Sequence, residues 1–266
     1  MRKTTILLTM LMLSSFIYAS YYVGAKSENT WENNWKDPFR GNDVCGNWYS
    51  TIDDDDPNVV KKSWTTLRSP AKSRYETDGD QNTTYGLDGM DIFLHCGHSG
   101  LKDNGANARW NMWEDGTGNG TWALSSNMRL GDEARELKLF STYGCYQLNN
   151  DDGDRWSVRW GQIFRGGLKY VTGFHELAWL NSTGTQKNED IGIDYANYLN
   201  EVNKTIKYAW WDSVKSFDDN TPAVMATGTD SSNAATRRDS CRKNTLFTYN
   251  TLRDGDIGAN SYTEWR

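Results

Sequence analysis

The chain has 266 residues, a net charge of −6 and a pI near 5.2, and its 13 tryptophans and 14 tyrosines offset a mean hydropathy of −0.78. Charge is spread rather than gathered into a basic stripe, which argues against a nucleic-acid partner, and the aromatic content argues against disorder because each ring buries a large apolar area. The length is ample for one sizeable core and fits a single domain.

Residues 1–25 read as a secretory leader, leaving one α/β domain over 26–266. Arg2 and Lys3 precede a mostly apolar run from Thr5 to Ile17, too short for a comfortable bilayer span, and small residues at Ala19, Ser20 and Ala25 each offer a cleavage point. A secreted or extracytoplasmic (cell-surface) location follows, with no stable membrane insertion after cleavage; an uncleaved anchor is the alternative. Residues 26–42, with Trp31 and Trp35, read as a surface arm. Asp43–Ile52 reads as a first strand, Asp53–Pro57 as an acidic turn, and Val59–Leu67 fits helix or strand equally. Ser73–Tyr85 reads as loop.

Met90–Leu94 is a short apolar run leading into Gly97–His98–Ser99–Gly100, which predicts a buried strand followed by a turn. Residues 101–130 are rich in Gly and Asn around Trp110, Trp113 and Trp122, and read as a loop overhanging the strand ends. Its aromatics either cap the core or meet sugar rings and peptide side chains. Asp132–Leu137 reads as the last turns of a crossover helix, since parallel strands need a long connection. Leu137–Tyr143 is a second buried strand and runs into Gly144–Cys145. Arg155–Trp160 alternates and reads as strand or loop, and Leu168–Phe174 is a third buried strand. Ile191, Tyr195, Tyr198, Leu199, Val202, Ile206, Trp210 and Val214 recur at helical spacing through Asp190–Phe217, with a break near Asn203–Lys204. Pro222–Gly228 is a fourth strand, and the polar residues 229–266 wrap the domain.

If the strands before His98 and Cys145 are parallel neighbours, the two residues emerge on one edge of the sheet. Open α/β sheets place their ligand crevices outside the carboxyl ends of their strands. A thiol and an imidazole brought together there form a nucleophile and acid/base pair.

These blocks carry a family resemblance. An apolar run ending in His-Gly, then a second ending in Ala-Cys, is similar to the pattern of the caspase-like (clan CD) cysteine peptidases, which include caspases, legumains, gingipains and clostripain. Here the blocks end Gly97–His98–Ser99–Gly100 and Gly144–Cys145, while Gly167–Phe174 and Ala209–Trp210 resemble the following strand and helix. The chain resembles most an uncharacterised set of secreted microbial caspase-like domains, over roughly residues 85 to 228. The resemblance implies a three-layer sandwich, a mostly parallel sheet flanked by helices, and cleavage of peptide bonds after one preferred P1 side chain. Two positions depart from the pattern: Ser99 stands where the family has glycine, and Gly144 where it has alanine. A side chain at 99 would crowd the oxyanion site.

On this reading Cys145 attacks the peptide carbonyl as thiolate, His98 protonates the leaving amine, and the backbone N–H groups of Ser99 and Cys145 bind the oxyanion. The partner is a protein or peptide substrate. Arg155 and Arg159 pull P1 preference one way; Asp151, Asp152 and Asp154 pull it the other. A second reading keeps the fold without the chemistry, as a catalytically inactive surface domain binding protein or carbohydrate through its aromatic loops, Trp110 and Trp113 above all.

Cys45, Cys96, Cys145 and Cys241 make an even set, which in an exported chain predicts disulfides in one of three pairings. Cys45 with Cys241 would clip the flanking segments together. Cys96 with Cys145, on adjacent strands, would silence the nucleophile. A third reading takes His95, Cys96, His98, Cys145 and His175 as zinc ligands, although their spacing matches no common zinc pattern. No cofactor is expected; the acidic segments Asp53–Asp56 and Asn149–Asp154 read first as solvated turns, with calcium as the minority role.

Overall fold

Continuous apolar runs, buried on both faces, make the strands of an inner sheet. The computed structural model describes residues 20–27, 41–66, 75–76, 86–112, 121–132, 137–150, 155–178, 188–215, 220–249 and 262–265. Among them the strands are β1 (Tyr21–Ser27), β2 (Val59–Thr66), β3 (Ile92–Cys96), β4 (Ser99–Lys102), β5 (Asn107–Met112), β6 (Thr121–Leu124), β7 (Leu139–Tyr143), β8 (Tyr170–Phe174), β9 (Pro222–Thr227) and β10 (Tyr262–Trp265). The helices are α1 (Gly41–Thr51), α2 (Arg155–Phe164), α3 (Asn188–Asn200), α4 (Ile206–Val214), α5 (Ser231–Ser240) and α6 (Lys243–Leu246). Seven strands form the main sheet in the order β10-β9-β8-β7-β3-β1-β2. The pairs from β2 to β8 are parallel, and β9 and β10 add antiparallel. Strands β4, β5 and β6 form a separate antiparallel sheet.

Strand alternation sorts the core into two halves. On one face Ile92, Leu94, Cys96, Leu139, Tyr143, Tyr170 and Phe174 pack with Val44, Cys45 and Trp48 of α1, Ile191 and Tyr195 of α3, and Trp210 of α4. On the other face Phe93, Phe140, Val171 and Met225 pack with Trp110 of β5, Ala123 of β6, and Trp160, Ile163 and Phe164 of α2. The result is the expected α/β architecture: a mostly parallel sheet between two covering layers, a three-layer sandwich.

Trp210 marks the centre of the first half. It is 1% exposed, its ring meets those of Tyr143, Phe174 and Tyr195, and its Nε1 donates to the Gly173 carbonyl at 2.8 Å. Trp210→Phe keeps most of the ring area and deletes the donor. The expected cost is about 1–3 kcal/mol, read as a lower denaturant midpoint at unchanged slope.

Several elements differ from the sequence reading. Asp43–Ile52, read as a strand, lies almost wholly in helix α1, because Val44, Trp48 and Ile52 recur every fourth residue and all three are buried. Helix α1 also meets α3 backbone to backbone: a Cβ on Gly192 would lie 2.0 Å from the Val44 carbonyl oxygen. Arg155–Trp160 is not strand or loop but the start of α2, which buries Trp160, Ile163 and Phe164 and leaves Val158 exposed. The expected overhanging loop at 101–130 carries most of the small sheet, namely β5, β6 and the end of β4. Val59–Thr66 forms β2, and the long helical pattern divides into α3 and α4 at residues 201–205. Residues 229–266 do more than wrap the domain, since they supply α5, α6 and edge strand β10.

The expected boundary at residue 25 falls inside a strand. Tyr21–Ser27 is an inner strand, paired on both sides by β2 and β3, with Val23 and Ala25 fully buried. A leader running to residue 25 would remove most of it, so a cut after Ala19 or Ser20 is compatible with the fold and one after Ala25 is not. Residues 1–19 of the expected leader, residues 28–40 of the expected arm with Trp31 and Trp35, Trp113, and most of the Asp132–Leu137 segment lie outside the described residues, while 26–27 and 41–42 of the arm belong to β1 and α1. Among the described residues no helix is long and apolar enough to cross a membrane.

Candidate functional site

Strands β3 and β7 are parallel neighbours, with Cys96 opposite Tyr143 as the last registered pair. The Gly97 N–H extends the ladder by donating to the Tyr143 carbonyl at 3.1 Å. Two residues beyond that pair stand His98 and Cys145, so the fold carries both to the same carboxyl edge on adjacent chains, whose spacing in a sheet is about 4.8 Å. Both are half-buried. Ser99 follows His98 as the first residue of β4, and its hydroxyl donates to the Cys145 carbonyl at 2.9 Å.

The cysteine pairing differs from both expected bonds. Cys45 is bonded to Cys96, with Cα atoms 6.0 Å apart, and Cys145 and Cys241 are free. The reason is strand alternation. Cys96 shares a face with Ile92 and Leu94 and points into the layer where α1 brings Cys45, whereas Cys145 lies beyond the end of β7. The two free thiols differ sharply. Cys241 is fully buried, and burial pushes its thiol up to about 12, so it stays protonated and inert. Cys145 is half-buried, and its Sγ accepts the Ala178 backbone N–H at 3.4 Å.

The segment after Cys145 is tied down on three sides. Tyr146 turns through the left-handed region at φ 57° and donates its N–H to the Glu176 carbonyl at 2.7 Å. Leu148 donates to the Phe174 carbonyl at 2.9 Å. From α2, Trp160 Nε1 reaches the Gln147 carbonyl and Arg159 Nη2 the Asn149 carbonyl, each at 2.8 Å. Gln147 Nε2 reaches both the Cys145 and the Arg109 carbonyls at 3.3 Å, joining the loop to the small sheet. Arg159 is 1% exposed and committed to this loop, so it does not set substrate charge preference. Asp151, Asp152 and Asp154 lie outside the described residues.

Of the two backbone donors expected for the oxyanion, the direction of the Ser99 N–H follows from the register of the small sheet. The Ala108 N–H is turned to Ser125 Oγ at 3.0 Å, on the β6 side. Antiparallel alternation then makes Ser99 opposite Trp110 a non-hydrogen-bonded pair, with the Ser99 N–H directed away from β5.

The other histidines are structural. His95 is fully buried on the opposite face of β3 from Cys96, its Nδ1 is 2.7 Å from the Tyr75 hydroxyl, and burial, with the nearby charges of Lys26 and His98, holds its pKa well below the ordinary value. It is therefore neutral at neutral pH. His175 is buried, with Nδ1 accepting from the Asn150 N–H at 3.4 Å. The zinc reading loses its first thiolate, because Cys96 is in a disulfide, and among the described residues no three His, Cys, Asp or Glu side chains gather as a metal-binding group. The calcium reading of Asp53–Asp56 loses two carboxylates to internal ion pairs. Asp53 meets Lys61 at 2.5 Å, and Asp56 meets Lys243 at 2.7 Å and Tyr21. Burial works against the Asp56 carboxylate, yet the bonds from Lys243, Tyr21 and Asn58 outweigh it and hold its pKa below the ordinary value. The binding reading loses Trp110, which is fully buried with its Nε1 on Thr142 Oγ1 at 3.2 Å.

A cavity of about 860 Å³ opens at the other edge of the sheet, lined among others by Tyr21, Asp56, Asp91, Lys138, Lys243 and Phe247. Its deeper charges are already matched, Lys138 with Asp91 and Lys243 with Asp56, each at 2.7 Å. Volume and the candidate pair thus lie at opposite ends, and a free thiol and an imidazole carried on neighbouring strand ends are the better guide to function.

Sequence reasoning expected His98 and Cys145 at one sheet edge, where the fold puts them, but not the groups around them. Ala178, Gln147, Trp160 and Arg159 act through backbone groups or buried polar atoms, and nothing in their local sequence signals it. A family model described as Domain of unknown function (DUF6345) matches residues 70–251, a span that contains both His98 and Cys145. A search among curated proteins returns no match.

Proposed function

We propose that this chain, which belongs to the DUF6345 family, is a secreted caspase-like cysteine peptidase that hydrolyses peptide bonds through Cys145 and His98. The observation that carries the reading is the placement of Cys145. It is the half-buried free thiol among the four cysteines, carried with half-buried His98 to the same carboxyl edge of a parallel sheet on neighbouring strands. The Cys145 thiolate adds to the scissile carbonyl, and the resulting oxyanion takes the backbone N–H groups of Ser99 and Cys145. His98 gives its proton to the departing amine, leaving a thioester on Cys145. Water, deprotonated by the same imidazole, releases the acid. Export supplies the oxidising compartment in which the Cys45–Cys96 bond persists.

The experiment is an alkylation map joined to a turnover assay. The mature protein is treated with iodoacetamide without reductant, digested, and each cysteine is read by mass spectrometry, while a fluorogenic peptide library is assayed before and after labelling. The expected result is labelling of Cys145 alone in the folded protein, with turnover falling in proportion. Turnover that survives complete labelling of Cys145 would overturn the reading.

A further inference from the structure

We infer that Ser99 is a positioning residue for Cys145, and that Ser99 and Gly144 form one coupled exchange rather than two separate departures from the His-Gly and Ala-Cys pattern. The inference rests on the peptidase reading and extends it.

The geometry is specific. The Ser99 hydroxyl donates to the Cys145 carbonyl at 2.9 Å. A Cβ built on Gly144 would lie 2.2 Å from that same Oγ and 3.0 Å from Ser99 Cβ. The serine side chain therefore fills the space an alanine methyl at 144 would occupy, and the two side chains exclude each other. With glycine at 144, the hydroxyl lies against the Gly144–Cys145 backbone and is spent on a carbonyl. It is thereby turned away from the oxyanion site that a side chain at 99 was expected to crowd.

The bond has a job beyond filling space. The Cys145 carbonyl is held by two side-chain donors, Ser99 Oγ from the His98 side and Gln147 Nε2 from the following turn. Fixing that carbonyl fixes the peptide plane after Cys145, just before the left-handed Tyr146. The thiol's own anchor, the Ala178 N–H, is set independently by the loop after β8. The Ser99 bond is thus a direct tie between the residue following the imidazole and the residue carrying the thiol, and it bears on how the two face each other.

The test uses Ser99→Ala, Gly144→Ala and the Ser99→Gly/Gly144→Ala double variant of the full mature protein. Its readouts are iodoacetamide labelling of Cys145 across pH, peptide turnover and thermal midpoint. Loss of one neutral hydrogen bond is worth about 0.5–1.5 kcal/mol, so Ser99→Ala is expected to slow Cys145 labelling and lower kcat by about 2- to 12-fold with KM unchanged. Gly144→Ala alone is expected to lower the thermal midpoint and labelling together. The double variant is expected to recover much of that loss, though not all, because the Gly97 carbonyl oxygen would still lie 2.8 Å from the new Cβ. Ser99→Ala labelling at the wild-type rate and pH midpoint overturns the positioning role, and this arm stands even if Gly144→Ala does not fold. A double variant as impaired as Gly144→Ala alone overturns the coupling. A wild-type protein whose Cys145 labels rapidly but which turns over no peptide refutes the peptidase reading while leaving the positioning claim to the labelling data.

Discussion

Peptide turnover by Cys145→Ala is expected to fall by at least about 10³-fold, and by His98→Ala to a similar extent, because nucleophile and acid act as one unit. The structure removes the usual sources of rescue. Cys241 is buried with its thiol pushed up to about 12, and Cys45 and Cys96 are bonded to each other, so no second thiol among the four stands in for Cys145. His95, three residues before His98, faces the opposite layer, is held neutral by burial, and has its Nδ1 engaged by Tyr75, so it cannot replace the acid. Both side chains are only half-buried, with Cys145 packed against the first core half, so the thermal midpoint should stay within a few degrees of wild type. Steady-state assays with the best library peptide, beside circular dichroism melts, make the check. Full turnover by either folded variant would sink the dyad.

Opening the Cys45–Cys96 bond is expected to have the largest effect on stability. The bond closes a loop with a sequence separation of 51 residues between α1 and inner strand β3, and chain entropy for such a loop amounts to about 4 kcal/mol. Both cysteines are fully buried in the first core half. The Cys45→Ala/Cys96→Ala double variant should therefore unfold at much lower denaturant than wild type. The same shift should appear when wild type is unfolded in reductant. An unchanged midpoint, with mass spectrometry showing the bond reduced, would mean that α1 packing alone holds this layer. Because Cys96 lies two residues before His98, the same variant should also lose turnover where the fold still holds.

How much of this was legible in the sequence depended on where each element sits. Strands β3, β7 and β8 announce themselves because both faces are buried, so Ile92–Phe93–Leu94 and Leu139–Phe140 read as unbroken apolar runs. From them came the sheet edge that holds His98 and Cys145. Strand β1 was hidden. It is seven residues with Gly24 and Lys26 inside, directly after an apolar segment, and it read as the end of the leader. Helix α1 misled because Trp48–Tyr49–Ser50–Thr51–Ile52 has the composition of a strand, while the fourfold spacing of Val44, Trp48 and Ile52 is what the packing used. The small sheet was unreadable among Gly and Asn, though Ala108 and Trp110 do alternate inward around Arg109. The disulfide partner of Cys96 depended on which face of β3 it occupies and on a helix the sequence had concealed. The fit of Ser99 against Gly144 is a distance between two turns, and no local pattern reports it.

The order of strands across the main sheet has a consequence for biogenesis. Apart from β2, which lies outside β1, each strand is laid beside the one before it in the chain, from β1 and β3 through β7, β8 and β9 to β10. In a polypeptide threaded through a translocon from its amino end, such a sheet grows in one direction, each arriving segment docking on an edge already present. Cys45 and Cys96 both precede Cys145 in the chain, so on the proposed export they would meet when β3 docks, before Cys145 emerges. On the proposed export, oxidation during passage would join the first two thiols to reach the oxidising side, and Cys145, the proposed nucleophile, would arrive after its rival partners are taken.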